Sequence, residues 1–303
     1  MRGLWPNMRR RKAEDGRRKT EGGRRGTVSS QDEEGFAGAG NLSAARQAAI
    51  AAARAGGEVA MRFFGRGPAV RRKADLTPVT EADLAAEAAI VALLRDAYPT
   101  YGLCAEESTP LGALNSAPTW IVDPIDGTKQ FMRGIPFFAT LIALAIDGQP
   151  VVGVSYAPAL DELLVATRGG GATCNGQPIR VSGLSSLAEA FITHGDLEMA
   201  ELEGYYNAVR ALSGASLACR GYGDFYGYHL VARGLADVMI EPHVAPWDVA
   251  ALKVIVEEAG GIYSNFADDR RAFGMGTSSG VGSLATNGRL HGAVLDVVRP
   301  HLR

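Results

Sequence analysis

Two carboxylates three residues apart, Asp123 and Asp126, close the apolar run Trp120-Ile-Val, and Gly127-Thr128 follow at once. Carboxylate oxygens hold hard cations, and a Gly-Thr step can offer backbone N–H groups to a phosphate. Those are the two needs of metal-assisted hydrolysis of a phosphate ester. Pro124 fixes the chain just past the apolar run, so the Ile125 carbonyl can be presented between the two acids. Three further acids stand at the end of an apolar strand or the start of a helix: Asp83, Glu106 and Asp248. Acids are rarely buried without a partner, so this placement points to a metal site. The oxygen-only set suits Mg²⁺ rather than Zn²⁺, and no His/Cys cluster competes. Taken singly, each acid has a plainer explanation. Asp83 and Asp248 fit first-turn helix acids, and Glu106-Glu107 fits a solvated loop. Chance does not readily supply all five in one chain and in this order.

The elements that must position these acids can be read from local pattern. Residues 42–64 are Ala-rich with helical apolar spacing, capped by Asn41 or Ser43. Residues 71–79 read as extended. Thr80-Glu-Ala-Asp83 opens a second helix that runs to about Ala97. Gly102 to Glu107 reads as a short strand entering an acidic loop, and Trp120 to Val122 as a buried strand. Segments 137–146, 150–157 and 161–167 form an antiparallel meander. Asp147-Gly148 turns its first pair, and Asn175-Gly176 turns a later hairpin before 178–181. In the second half, helices are predicted over 197–213, 223–235, 246–259 and 289–298, with strands over 236–241 and 282–286. Pro246 opens one of these helices, and Gly260-Gly261 follows it. The sum is an α/β (α+β) chain with an antiparallel-meander half, 41–185, and a mixed β/α half, 186–303, that completes the site.

Bulk composition narrows the function classes. The chain has 303 residues, 47 % apolar and 21 % charged, with a net charge of −2. That is ordinary for a globular protein and gives no general push toward nucleic acid or membrane. No apolar run approaches the ~20 residues of a membrane span. Cys104, Cys174 and Cys219 are odd in number and lack CxxC spacing, which suits a reduced, cytoplasmic setting with all three as small core residues. Residues 1–40 carry ten Lys/Arg and six Asp/Glu, a net +4 that leaves −6 on the rest. This basic tail has almost no core residues and is expected to be disordered. Its acids argue against a transit peptide. Its run Arg9-Arg10-Arg11-Lys12 does not make nucleic acid an expected partner.

Glu106-Glu107, Asp123-Pro-Ile-Asp-Gly-Thr128 and Trp247-Asp248 resemble the inositol monophosphatase-like family of Mg²⁺-dependent phosphatases. The resemblance extends to Lys73, Asp75 and Val79-Thr80 with Asp83, to the hairpin Gly170–Ile179, and to Trp247-Asp-Val-Ala-Ala with Glu257-Glu-Ala-Gly-Gly261. It covers roughly residues 42–299. Ala105 departs from it, standing where Gly is usual. The resemblance implies a layered αβαβα sandwich of the sugar-phosphatase type, often a homodimer. It implies that Glu106, Asp123, Asp126, Asp248 and the Ile125 carbonyl bind two or three Mg²⁺. Gly127 and Thr128 would hold the phosphate. Thr128, supported by Asp83, would orient or deprotonate a metal-activated water alongside Glu106. Lys73 would contact waters of the site. A silent, non-catalytic relative would be expected to have lost some of these ligands, and all are present.

Substrate choice should lie near the leaving group, in the second half. There the chain reads Arg220-Gly-Tyr-Gly-Asp-Phe-Tyr-Gly-Tyr228, with Glu241 seven residues before Asp248. Gly223-Asp224 stands where inositol-type members commonly carry Ser-Ala, and Leu252 where they carry Gly. Both features resemble the histidinol-phosphatase branch. Histidinol phosphate carries an ammonium and an imidazole, which Asp224 and Glu241 could pair with, Arg220 lying beside them. The plainer reading makes Asp224 a helix cap. The alternative activity is an inositol-1-monophosphatase or a broad sugar-phosphate phosphatase.

Overall fold

The computed structural model describes residues 39–67, 70–72, 78–108, 117–273 and 282–302. Most of the basic tail, Lys73 and Asp75 therefore lie outside the described residues.

The first half alternates helices with a meander. Its elements are α1 (Ala39–Phe63), β1 (Val70–Arg72), β2 (Pro78–Thr80), α2 (Glu81–Ala97), β3 (Gly102–Ala105), β4 (Thr119–Asp126), α3 (Thr128–Met132), β5 (Ala139–Ile146), β6 (Gln149–Ala157), β7 (Glu162–Thr167), β8 (Ala172–Cys174) and β9 (Gln177–Pro178). Strands β3 to β9 form one sheet in sequence order, with only the β3–β4 pair parallel. Asp147-Gly148 and Asn175-Gly176 all take positive φ, as the tight hairpin turns require. Helix α1 begins before both Asn41 and Ser43, so neither caps it.

The second half comprises β10 (Phe191–His194), α4 (Leu197–Leu202), α5 (Tyr206–Ala215), β11 (Ala218–Arg220), α6 (Asp224–Ala232), β12 (Val238–Glu241), α7 (Pro246–Glu258), β13 (Ile262–Ser264), β14 (Ser283–Thr286) and α8 (His291–Val298). Its sheet runs β11-β10-β12-β14-β13 and mixes parallel with antiparallel pairs. The single helix expected over 197–213 is two helices, because Gly204 at φ +79 breaks the path between them.

Strand periodicity builds the layers. Along β4, Trp120 and Val122 face α1 and α2, while Ile121 faces the opposite core with α6 and α7. On β5, Ile142 and Leu144 take the first face, and Leu141, Ala143 and Ala145 the second. Helices α6 and α7 lie between the two sheets, with Met239 and Ala285 of the second sheet completing their core. The far face of the second sheet is covered by α5 and α8. The order is thus helix, sheet, helix, sheet, helix. Gly153 of β6 lets α7 sit directly on the sheet, since a Cβ there would lie 2.3 Å from the Ala251 carbonyl oxygen. Among the described residues no helix is long and apolar enough to cross a membrane. The three cysteines are free thiols, but only Cys104 is fully buried; Cys174 and Cys219 are half-buried at core margins.

Candidate active site

Strand β4 is buried along its whole length and delivers Asp123 and Asp126 to one end of its sheet. Its pairing with β5 shifts register between the two acids, across Pro124, which has no N–H to give. Thr140 Oγ1 instead donates to the Pro124 carbonyl at 2.9 Å. The Ile125 N–H donates to Asp123 Oδ1 at 2.9 Å, which sets that carboxylate's angle. Gly127 then takes φ +86, and a Cβ on it would lie 2.6 Å from the Phe137 carbonyl oxygen. Only glycine makes this turn from β4 into α3 without strain.

Thr128 Oγ1 lies 3.0 Å from the Ile125 carbonyl oxygen and 3.4 Å from Asp83 Oδ1. Asp83 is held by a capping box at the start of α2. Its Oδ2 accepts the Thr80 N–H at 2.7 Å and the Thr80 hydroxyl at 2.6 Å. Burial raises the Asp83 carboxyl above its ordinary range, with the Thr80 hydrogen bonds working against that rise. Asp83 is thus a first-turn acid of α2 that also reaches the Thr128 hydroxyl.

Asp248 arrives from the first turn of α7, where its Oδ2 accepts the Ala245 N–H at 2.7 Å. One oxygen from each of Asp123, Asp126 and Asp248 lies within 4.8 Å of the others. Glu106 lines the same cavity. Burial, then the charges of Glu106, Asp126 and Asp248, push the Asp123 carboxyl well up. Asp126 is pushed up likewise, by burial first and then by Asp224 and Asp248, and is partly relieved by the Phe225 N–H, which donates to its Oδ2 at 2.6 Å. Two of these clustered carboxylates, Asp123 and Asp126, resist ionisation by themselves, a repulsion that a divalent cation would neutralise, and the three-acid donor set fits a hard ion.

The cavity encloses about 410 Å³ and continues from the metal-type cluster to Asp224, Glu241, Asp196 and His194. Asp224 caps nothing: Gly223 is the cap residue of α6, and the Asp224 side chain accepts the Gln130 amide instead. Burial raises its carboxyl, against a lowering by Gln130. Glu241 is buried; burial, then Asp224, push it well up, and its Oε2 has no hydrogen-bond partner. Arg220 is not brought in. It is exposed, does not line the cavity, and its guanidinium donates to the Cys219 carbonyl at 2.8 Å.

Several contributors were not read from sequence. Glu87 accepts the Glu107 N–H at 2.8 Å and so fixes the acidic loop from α2. Its spacing of four from Asp83 puts both on one helix face, a signal that was available. Lys129, Gln130 and Asp196 left no such trace, because their partners lie far along the chain.

Fold and site together define a phosphatase of the layered α/β type. The inositol monophosphatase family model matches residues 41–302, and the chain belongs to that family. A histidinol-phosphatase of Mycobacterium tuberculosis is 40 % identical over 243 residues, covering 78 % of this chain and 90 % of that protein. Inositol monophosphatase 2 of Solanum lycopersicum is 38 % identical over 230 residues, covering 71 % and 84 %. Among solved structures, the inositol monophosphatase of Anabaena (Nostoc) sp. PCC 7120 superposes with a TM-score of 0.75 at 31 % identity, covering 86 % of this chain and 97 % of that one.

Proposed function

We propose that this phosphatase hydrolyses L-histidinol phosphate to L-histidinol and phosphate, using Mg²⁺, as a step of histidine synthesis in the cytoplasm. The observation that carries the substrate choice is the acidic wall beyond the metal-type cluster. There Asp224, and Glu241 with its unpartnered Oε2, can receive positive charge. A leaving group with an ammonium and an imidazole supplies it, whereas a neutral polyol does not. The 40 % identity to a histidinol-phosphatase supports the same reading.

Asp123, Asp126, Asp248, Glu106 and the Ile125 carbonyl would hold two or three Mg²⁺. When bound, the ions neutralise charge on the phosphoryl oxygens and make a water acidic enough to attack at neutral pH. The chain's own residues do the rest. Gly127 and Thr128 hold the phosphate through their backbone N–H groups. Glu106 and the Thr128 hydroxyl orient the attacking water. Asp83, whose basicity burial increases, takes up a proton through Thr128 at Oδ1. Asp224 and Glu241 bind the cationic end of the alcohol that departs.

The test is turnover of histidinol phosphate beside inositol-1-phosphate with Mg²⁺. Histidinol phosphate should be preferred. Asp224→Asn should cut kcat/KM for it by about 10- to 150-fold, the loss of one charge-assisted contact, and leave the neutral ester nearly unchanged. Equal losses on both esters, or a wild-type preference for inositol-1-phosphate, would favour an inositol-1-monophosphatase or a broad sugar-phosphate phosphatase. The 38 % identity to an inositol monophosphatase keeps that second reading alive.

A further inference from the structure

Among the described residues lining the cavity, Lys129 is the one lysine or arginine, and its Nζ lies 3.1 Å from Asp196 Oδ2. The contact spans the cleft, from α3 behind the phosphate-type turn to the N-cap of α4 in the other half. Asp196 is firmly placed. Its Oδ1 accepts the N–H groups of Glu198 and Met199 at 2.9 and 3.4 Å, so Oδ2 alone is left to face the cavity. Its backbone packs on Glu241. A Cβ on Gly195 would lie 1.7 Å from Glu241 Oε1, and the Asp196 N–H donates to that same oxygen at 3.3 Å. Asp196, Glu241 and Asp224 therefore form one continuous acidic wall.

Two adjacent residues of α3 occupy the outer members of this wall. The Lys129 ammonium sits on Asp196, and the Gln130 amide on Asp224. Each places an N–H donor where an ammonium-bearing ligand would place its own. The lysine is the loosely held one: the Lys129 and Asp196 side chains are 71 % and 39 % exposed, and an exposed pair of this kind adds little to stability. A ligand cation delivered deeper into the cavity, tethered through its phosphate, competes for the same carboxylate at high effective concentration.

We propose that Asp196 is a specificity residue for cationic phosphate esters, and that Lys129 is its resident counter-ion, displaced when such an ester binds. This rests on the histidinol phosphate reading above and assigns the third carboxylate of that subsite. Lys129 thus sets a threshold: a neutral ester leaves the Lys129–Asp196 bridge closed, and an ammonium ester opens it by exchange.

The experiment measures KM and kcat for histidinol phosphate and glycerol-2-phosphate with Mg²⁺ in wild type, Asp196→Asn and Lys129→Met. Asparagine still caps a helix, so a preserved Tm shows that Asp196→Asn leaves α4 intact. Asp196→Asn should raise KM for histidinol phosphate about tenfold with little change in kcat, and leave glycerol-2-phosphate alone. Lys129→Met should lower KM for histidinol phosphate about threefold, and leave the neutral ester alone. An equal rise of KM on both esters in Lys129→Met would make the lysine a phosphate contact and overturn the exchange. A histidinol phosphate KM unmoved in Asp196→Asn would overturn the subsite. Both outcomes are separable from failure of the proposed function, which would already show in wild type as no preference for histidinol phosphate over the neutral ester.

Discussion

At the scale of single residues, the site is a set of acids placed where acids resist being charged. Asp123 and Asp126 are only 2 % and 8 % exposed, and burial first, then the charges of neighbouring acids, hold their carboxyls well above the ordinary range. In metal-free protein, a folded-state pKa above the unfolded one means that protons stabilise the fold. That contribution is complete below the unfolded value of about 3.9 and is lost as pH rises through the raised folded value. A divalent cation binds the deprotonated acids and reverses the loss. The Tm gain from Mg²⁺ over EDTA should therefore grow as pH is raised from the ordinary carboxylate range into the alkaline range, following the proton release that metal binding requires. Asp123→Asn keeps an oxygen for the Ile125 N–H but removes one repulsive charge. Its metal-free form should melt no lower than metal-free wild type, while the Mg²⁺ gain and the activity both vanish. A wild-type Tm indifferent to Mg²⁺ at both ends of that pH range would count against the metal centre.

At the scale of elements, what was legible in sequence was what local chemistry decides. The α2 capping box, the β4 run and the two Gly turns of the meander are set by residues within a few positions of one another. Asp83, Glu106, Asp123, Asp126 and Asp248 were legible for the same reason, since each stands near the start or end of an element or an apolar run. Strands β10, β11 and β13 were not legible, being three or four residues long and held by pairing to distant partners. The wall formed by Gln130 with Asp224 and by Lys129 with Asp196 joins residues 94 and 67 apart, and no local pattern announces it. Helix α6 shows the same dependence on distant partners. Asp126 accepts the Phe225 N–H in the helix's first turn, and further along it His229 reaches Ser155 Oγ at 2.8 Å and Glu162 Oε2 at 3.5 Å. Burial holds the His229 imidazole below its usual pKa of about 6.5, against the pull of Glu162, and so favours its neutral form. The sign is opposite to that of the acids. A depressed histidine contributes stability that is present above about pH 6.5 and is lost as pH falls through the folded value. His229→Gln should cost about 1–3 kcal/mol near pH 7.5, the range for a buried polar partner left unpaired. The gap to wild type in chemical denaturation should narrow toward pH 5.5. A gap that stays constant with pH would show that His229 does not titrate between the states.

At the scale of the molecule, the site is a junction of layers. The residues proposed to hold phosphate and metal come from the end of the meander sheet, the proposed specificity acids from the second sheet and α6, and Asp248 from α7 in the layer between them. The geometry of the metal-type cluster therefore depends on how closely α7 lies on β6, a contact some distance from the chemistry. Gly153 sets it. A methyl there would meet the Ala251 carbonyl oxygen at 2.3 Å and Val254 Cβ at 3.1 Å. Neither is the loose end of a flexible side chain, so the helix itself must move. Overpacking of this kind costs about 1–3 kcal/mol. At about 2–4 °C per kcal/mol for a domain of this size, Gly153→Ala should lower Tm by several degrees. Because α7 carries Asp248 in its first turn, the Mg²⁺ concentration for half-maximal activity should rise at the same time. The KM ratio between histidinol phosphate and a neutral ester should hold, since the specificity acids sit on other elements. Gly183, with nothing within 4 Å of the corresponding position, supplies the control: Gly183→Ala should change neither Tm nor Mg²⁺ demand. If Gly153→Ala melts early yet needs no more Mg²⁺ than wild type, the strain is absorbed within the layers, and α7 packing does not set the position of Asp248.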